Sequence, residues 1–213
     1  MSKKTVDEHN AKLLLSLYDI PVCGELVAET TEGALRCAEE IGYPVALKVL
    51  SPEVAHKTEK GGIRLNIADP EGLRQAADSL NQRFNEVNHS LLVQEMVEGV
   101  ELIVGSKKDA IFGQTILFGL GGVYTELFKD ISIRLIPITK EEAREMVEEV
   151  KAYKLLKGYR GSIEVDINGI VDTLVNLSRL IDEHDEILEL DINPLIASHS
   201  GVAAVDALII KEK

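Results

Sequence analysis

The sequence predicts an α+β fold built on a mostly antiparallel sheet. Apolar β-branched runs and helical runs follow one another without the strict strand–helix–strand alternation of a parallel doubly wound sheet. The two glycine signatures of parallel nucleotide folds are also missing: there is no G-x-x-x-x-G-K-[ST], and no G-x-G-x-x-G follows a strand. The 213 residues show no internal repeat and no low-complexity linker, which suits one large domain or two small lobes.

Each element has its own signal. Thr5 to Tyr18 carries Ala11, Leu14, Leu15 and Tyr18 at helical spacing, and Pro21 ends that segment. Leu26 to Ala28 reads as a short strand. Thr31 can cap a helix to about Ile41, with Gly42 as its stop. Val45 to Leu50 is a buried strand, bounded by Tyr43-Pro44 and Ser51-Pro52, and a second strand begins at Ile63 after a polar loop. Asp69-Pro70 opens a helix to about Phe84. Ser90 to Val97 and Glu101 to Ser106 read as strands flanking a tight turn, followed by Ile111 to Phe118 and by Ile131 to Ile136, the last interrupted by Arg134. Thr139-Lys140-Glu141-Glu142 is a capping box opening a helix to about Val150. A short helix, Ala152 to Leu156, ends near Gly158, and Ile167 to Ile181 has helical periodicity. The chain ends as strand, turn, strand: Ile187 to Ile192, then Val202 to Val205.

Composition narrows the function. A hydrophobic fraction of 45% supports a real core, and no apolar run approaches the roughly 20 residues a membrane helix needs. Met1-Ser2-Lys3-Lys4 leads into a charged helical pattern, so no export is expected. Cys23 and Cys37 lack metal-type spacing; a disulfide between them is one alternative, and the reading favoured is two reduced thiols of a cytoplasmic protein. A net charge of -13 repels nucleic acid, yet local lysines and magnesium can still hold ATP.

The candidate site begins at Lys48, which interrupts the Val45–Leu50 run. A lysine on the inner face of a strand needs an anion, because an unpaired buried charge is costly; the alternative is a lysine snorkelling at a strand edge. A loop with His56 and Lys57 follows and closes on Gly61-Gly62, where backbone can approach a ligand. Taken alone, His56 is an exposed loop histidine. Gln94-Glu95-Met96-Val97 offers strand-end backbone to an adenine edge, and Glu101 offers a carboxylate to ribose hydroxyls. Gly119-Leu120-Gly121-Gly122, by itself, reads as a turn. In Glu189-Leu190-Asp191-Ile192-Asn193-Pro194, period two sets Glu189, Asp191 and Asn193 on one face, and Asp206 can come alongside by hairpin pairing. Such clustered oxygens suit magnesium or are a solvated sheet face. His9, His89, His184 and His199 sit in solvated segments and receive no role.

In order, Y-P-V-A-L-K-V-L-S-P-E-V-A-H-K (Tyr43 to Lys57), G-G-I (Gly61 to Ile63) and L-V-Q-E-M-V (Leu92 to Val97) are joined by three further motifs. These are F-G-L-G-G-V (Phe118 to Val123), Y-K-L-L-K-G-Y-R-G (Tyr153 to Gly161) and E-L-D-I-N-P-L (Glu189 to Leu195). The chain resembles, over nearly its whole length, the β subunits of ADP-forming acetyl-CoA synthetases, ATP-grasp proteins of the NDP-forming acyl-CoA synthetase family. The resemblance implies an ATP-grasp fold of two α+β lobes clamping ATP or ADP with Mg2+. Its expected parts are an N-terminal helical segment (1–20), an N-terminal lobe (21–95) and a C-terminal lobe (96–213).

The resemblance also implies roles. Lys48 contacts phosphates, with Gly61 and Gly62 beside it. Glu95 and Val97 meet the adenine mostly through backbone, and Glu101 meets the ribose. Asn193 and Asp206 match magnesium ligands, Asp191 an acidic position beside the phosphohistidine, and His56 the histidine that carries the phosphoryl group. The turn Val97-Glu98-Gly99-Val100-Glu101 is shorter than the family's proline-glycine-glycine version, which bears on the reach of Glu101. No CoA-binding Rossmann domain is encoded here, so the expected partner is an α subunit with that domain and its own phosphorylatable histidine, in an α2β2 assembly. Two alternatives stand beside this reading: a succinyl-CoA synthetase β chain, against which the A-H-K histidine argues, and a nucleotide-binding regulatory module.

Overall fold

The computed structural model describes residues 3–54, 57, 59–121, 130–158 and 164–212. In chain order its elements are β1 (Lys3–Val6), α1 (Glu8–Leu17), β2 (Glu25–Ala28), α2 (Thr31–Ile41), β3 (Val45–Leu50), β4 (Ile63–Ile67), α3 (Pro70–Arg83) and β5 (Ser90–Glu95). There follow β6 (Val100–Asp109), β7 (Gly113–Leu120), β8 (Ile131–Leu135), α4 (Lys140–Glu149), α5 (Tyr153–Leu156), α6 (Ile167–Glu183), β9 (Ile187–Ser198), β10 (Gly201–Ala204) and β11 (Ala207–Glu212). They fall into two units: Cys23–Met96, and Met1–Val22 together with Val97–Lys213.

The smaller unit is a four-stranded antiparallel sheet in the order β2-β5-β3-β4. Strand alternation sorts β3: Val45, Leu47 and Val49 pack in one core with Ala34 and Ala38 of α2 and Leu73, Ala77 and Leu80 of α3. Ala46 and Lys48 take the other face, opposite Gln94 and Leu92 of β5. The helices start where polar side chains satisfy their free amides. Asp69 accepts from the Gly72 N–H at 2.8 Å, and Thr30 accepts from the Gly33 N–H at 3.0 Å. The cap of α2 is thus Thr30, one residue before the expected Thr31, because Thr30 is the last extended residue and Thr31 is already helical. Gly42, at φ 94°, ends that helix.

The larger unit is a seven-stranded sheet, β1-β11-β9-β6-β7-β8, with β10 also paired to β9. Its named strand pairs are all antiparallel. One core joins Leu102, Val104, Ile116, Phe118, Leu190 and Ile192 of the sheet to Met146 and Val147 of α4 and Leu174, Leu177 and Ile181 of α6. Each such aliphatic or aromatic burial contributes about 1.5–3 kcal/mol. Ala11 and Leu15 of α1 join the same core. Thr139 makes the predicted capping box with Glu142. Arg134, the polar break in β8, is held by Glu149 through a two-pronged ion pair at 2.9 Å.

Several boundaries differ from the sequence reading. Thr5 and Val6 belong to β1, paired with Ile210 and Ile209 of β11, and α1 starts after the Asp7 cap. Strands β5 and β6 join different sheets rather than forming a hairpin. Ile111 and Phe112 are exposed turn residues whose N–H groups donate to Asp109, so β7 starts at Gly113. Strand β9 runs on through a cis Asn193–Pro194 bond to Ser198, and β11 follows β10. Asp206 therefore sits between β10 and β11, not on a strand. Lys12 and Glu8 form a buried pair at 2.8 Å inside α1. Among the described residues, no helix is long and apolar enough to cross a membrane.

Candidate functional site

The smaller unit carries Lys48, Gly61, Gly62 and Glu95. Strand β3 is interior to its sheet and Lys48 is 3% exposed, so it is not a lysine at a strand edge. The glycine pair runs alongside, since Ile63 pairs with Lys48 and the Val49 N–H donates to the Gly62 carbonyl at 2.9 Å. The Gly62 N–H donates to the Lys57 carbonyl at 2.7 Å. Both backbone groups of Gly62 are thus committed to the fold, and what it can offer a ligand is close approach. The start of the loop is tied as well: Ser51 Oγ donates to the Asn88 carbonyl at 2.9 Å, and Val54 is buried in the core. His56 lies outside the described residues, as does Gly122.

Glu95 ends β5. Its N–H donates to the Gly24 carbonyl at 3.0 Å, and its carboxylate accepts from the Gly24 N–H at 2.6 Å. Any backbone contact from Glu95 to a base therefore falls to its carbonyl. Behind it, the buried Gln94 side-chain amide donates to the Cys23 sulfur. Neither Cys23 nor Cys37 is in a disulfide.

The larger unit carries Val97, Glu101, Asp191, Asn193 and Asp206. Glu101, exposed near the start of β6, lies opposite Ile196 of β9, the strand that also bears Asp191 and Asn193. The Asn193 N–H donates to the Asp206 carbonyl at 3.2 Å, which brings those two residues side by side as the sequence suggested, through a different route. Asp191 is half-buried opposite Gly105. Burial first, then the charges of Glu189 and Asp206, push its carboxyl up to about 6. Such a field favours a divalent cation. Among the described residues, no three His, Cys, Asp or Glu side chains form a closed metal cage. What brings Asn193 and Asp206 together is the backbone hydrogen bond between them.

Sequence reasoning missed two contacts here. A Cβ on Gly99 would lie 2.4 Å from the Ala197 oxygen, and the Gly121 N–H donates to the Glu101 carbonyl at 2.8 Å. The glycines themselves were visible; the backbone opposite each of them was not.

Comparison with known proteins identifies the family. The ATP-grasp domain model matches residues 1–210. The β subunit of acetate–CoA ligase [ADP-forming] II from Pyrococcus furiosus is 42% identical over 212 residues, covering 95% of this chain and 90% of that protein. Acetate–CoA ligase [ADP-forming] I from Archaeoglobus fulgidus is 45% identical over 198 residues, covering 91% of this chain, which spans 29% of that longer protein. The dinucleotide-forming acetyl-coenzyme A synthetase 1 of Ca. Korarchaeum cryptofilum, solved with coenzyme A, Ca-AMPCP and HgCl+, superposes with a TM-score of 0.94 at 43% identity, over 98% of this chain and 94% of that one. A second form of that protein, with coenzyme A and Mg-AMPPCP, has its phosphohistidine segment pointing towards the nucleotide-binding site; it gives a TM-score of 0.86 at 44% identity, over 98% and 93% of the two chains. The chain belongs to the ATP-grasp domain family, among the ADP-forming acetate–CoA ligase β subunits.

Proposed function

We propose that this chain is the nucleotide-binding β subunit of an ADP-forming acyl-CoA synthetase acting on acetyl-CoA or a related thioester. It works with an α subunit that carries the CoA-binding domain and a phosphorylatable histidine, in an α2β2 assembly. The observation that carries the reading is Lys48, a buried cation on an interior strand beside Gly61 and Gly62. The match to a separate β subunit over 90% of its length supports the split into subunits. Two cysteines outside any disulfide fit a reducing, cytoplasmic setting.

In the synthesis direction, acyl-CoA and phosphate give acyl phosphate and CoA at the α subunit. The α histidine takes the phosphoryl group and frees the carboxylate. His56 takes it next, breaking the first P–N bond and forming a second. A terminal oxygen of ADP then attacks the phosphorus, giving ATP and neutral His56. A neutral imidazole is a competent nucleophile near pH 7. Lys48 holds the phosphates in line, and Gly61 and Gly62 allow close approach. The Glu95 carbonyl and the Val97 backbone meet the adenine, and Glu101 accepts from the ribose hydroxyls. Asn193 and Asp206 would hold Mg2+, which would supply charge neutralisation at the phosphates. Asp191 is the acidic group assigned to the phosphoryl-transfer step beside the phosphohistidine.

The test is incubation with radiolabelled Mg-ATP and neutral-pH gels. Wild-type protein should take an acid-labile, base-stable label without the α subunit, and His56→Ala should take none while still binding nucleotide. With the cognate α subunit, acetyl-CoA, ADP and phosphate should yield ATP, and His56→Ala should stop it. A label that survives in the variant, or full synthesis without His56, overturns the relay. A mixture that binds nucleotide but never makes ATP favours a regulatory module.

A further inference from the structure

The short turn from Val97 to Glu101 is held from two sides by backbone that leaves no room for a side chain. On one side, a Cβ at Gly99 would meet the Ala197 oxygen at 2.4 Å and Ile196 Cγ2 at 2.8 Å. On the other, the buried Gly121 would place a Cβ 3.0 Å from the Glu101 carbonyl carbon and 3.0 Å from the Leu102 nitrogen. The Gly121 N–H also donates to the Glu101 carbonyl at 2.8 Å. Glu101 is exposed while Leu102 is 1% exposed in the core, so the turn cannot slide without pulling Leu102 out of its packing.

We propose that Gly121, with Gly99 opposite it, is a positioning residue that sets the reach of the Glu101 carboxylate and so determines recognition of the nucleotide's ribose. This rests on the ribose assignment of Glu101 made above. A carboxylate that accepts from ribose hydroxyls works within O···O distances of about 2.5–3.0 Å. A Cβ at Gly121 displaces the Glu101 backbone by a few tenths of an ångström, which is comparable with that tolerance. On its other side Glu101 pairs with Ile196 of β9, which resists a larger displacement of the strand.

The readout is the ratio of affinities for Mg-ADP and Mg-2′-deoxy-ADP, measured by calorimetry on the full chain. Wild-type protein should prefer ADP by about tenfold or more, as for one hydrogen bond to a charged group. Gly121→Ala should cut that ratio to about threefold or less, Glu101→Ala should abolish it, and Gly121→Ala should change nothing further in the Glu101→Ala background. A wild-type ratio in folded Gly121→Ala, with the ratio lost in Glu101→Ala, overturns the glycine inference and leaves the ribose reading standing. An unchanged ratio in Glu101→Ala overturns both. A measurement that needs no variant stands beside these: amide exchange at Gly121 should slow more with ADP than with 2′-deoxy-ADP, and equal protection by the two overturns the inference.

Discussion

Lys48→Met isolates the charge from the packing. The site is 3% exposed on an interior strand, facing Leu92 on one side and Ile63 on the other. Methionine keeps the unbranched stem and nearly fills the same volume, so the cavity cost of the change is small. On the proposed reading, what is lost is a charge-assisted contact to a nucleotide phosphate, about 1.5–3 kcal/mol. At about 1.4 kcal/mol per tenfold, ADP affinity should fall about 10- to 140-fold. Calorimetry with Mg-ADP measures the fall, and circular dichroism with a thermal melt of the free protein checks that the variant is folded. The loss should shrink for adenosine, which has no phosphate to hold. Wild-type ADP affinity in a folded Lys48→Met, or equal losses for ADP and adenosine, would remove Lys48 from the phosphate site.

Asp206→Asn takes away an anionic oxygen and should weaken ADP binding more in magnesium than in chelator, by about tenfold; equal losses would make Asp206 structural. Glu149 is held below the ordinary carboxylate range by Arg134 and then Ser132, so its native pKa lies under its unfolded one. Its contribution is complete above the unfolded value and is lost as pH falls through the native value, so Glu149→Gln should flatten the acid side of a stability–pH curve; a parallel curve for the variant would refute this. The cognate α subunit should co-elute with this chain in size-exclusion runs, because a phosphoryl group passing between proteins must be shielded from water, and separate elution would count against the two-subunit reading.

The helix termini were legible because capping is local chemistry. Asp69-Pro70 and the Thr139–Glu142 box sit where the sequence put them. Strand ends were harder to read. Proline lacks the ladder donor, so Pro194 looked like the end of β9. In the structure its carbonyl accepts from the Val205 N–H at 3.0 Å and the strand continues beyond it. Strand β1 exists through β11, Thr5 beside Ile210 and Val6 beside Ile209, and a pairing across the length of the chain leaves no mark at either end. Lys12 and Glu8, four apart on α1, pair and are both buried, although a charged pair at that spacing would be expected on a solvated face.

The site divides along the same line. Lys48 was visible because one charge inside an apolar run is an anomaly at any sequence distance. Asp206 was expected beside Asn193 from simple hairpin pairing. The chain reaches that position by adding β10 to β9 and turning back into β11, so the neighbour was right although the path was not. Gly121 is the opposite case. Within its own segment it is one glycine of a turn, and its meaning is the Glu101 peptide lying 3.0 Å from where its side chain would be. A glycine needed for close approach is defined by what approaches it, and that is a tertiary fact. A candidate anchor can therefore be proposed from its chemistry, while the close approaches around it emerge only once strands such as β6 and β9 are in register.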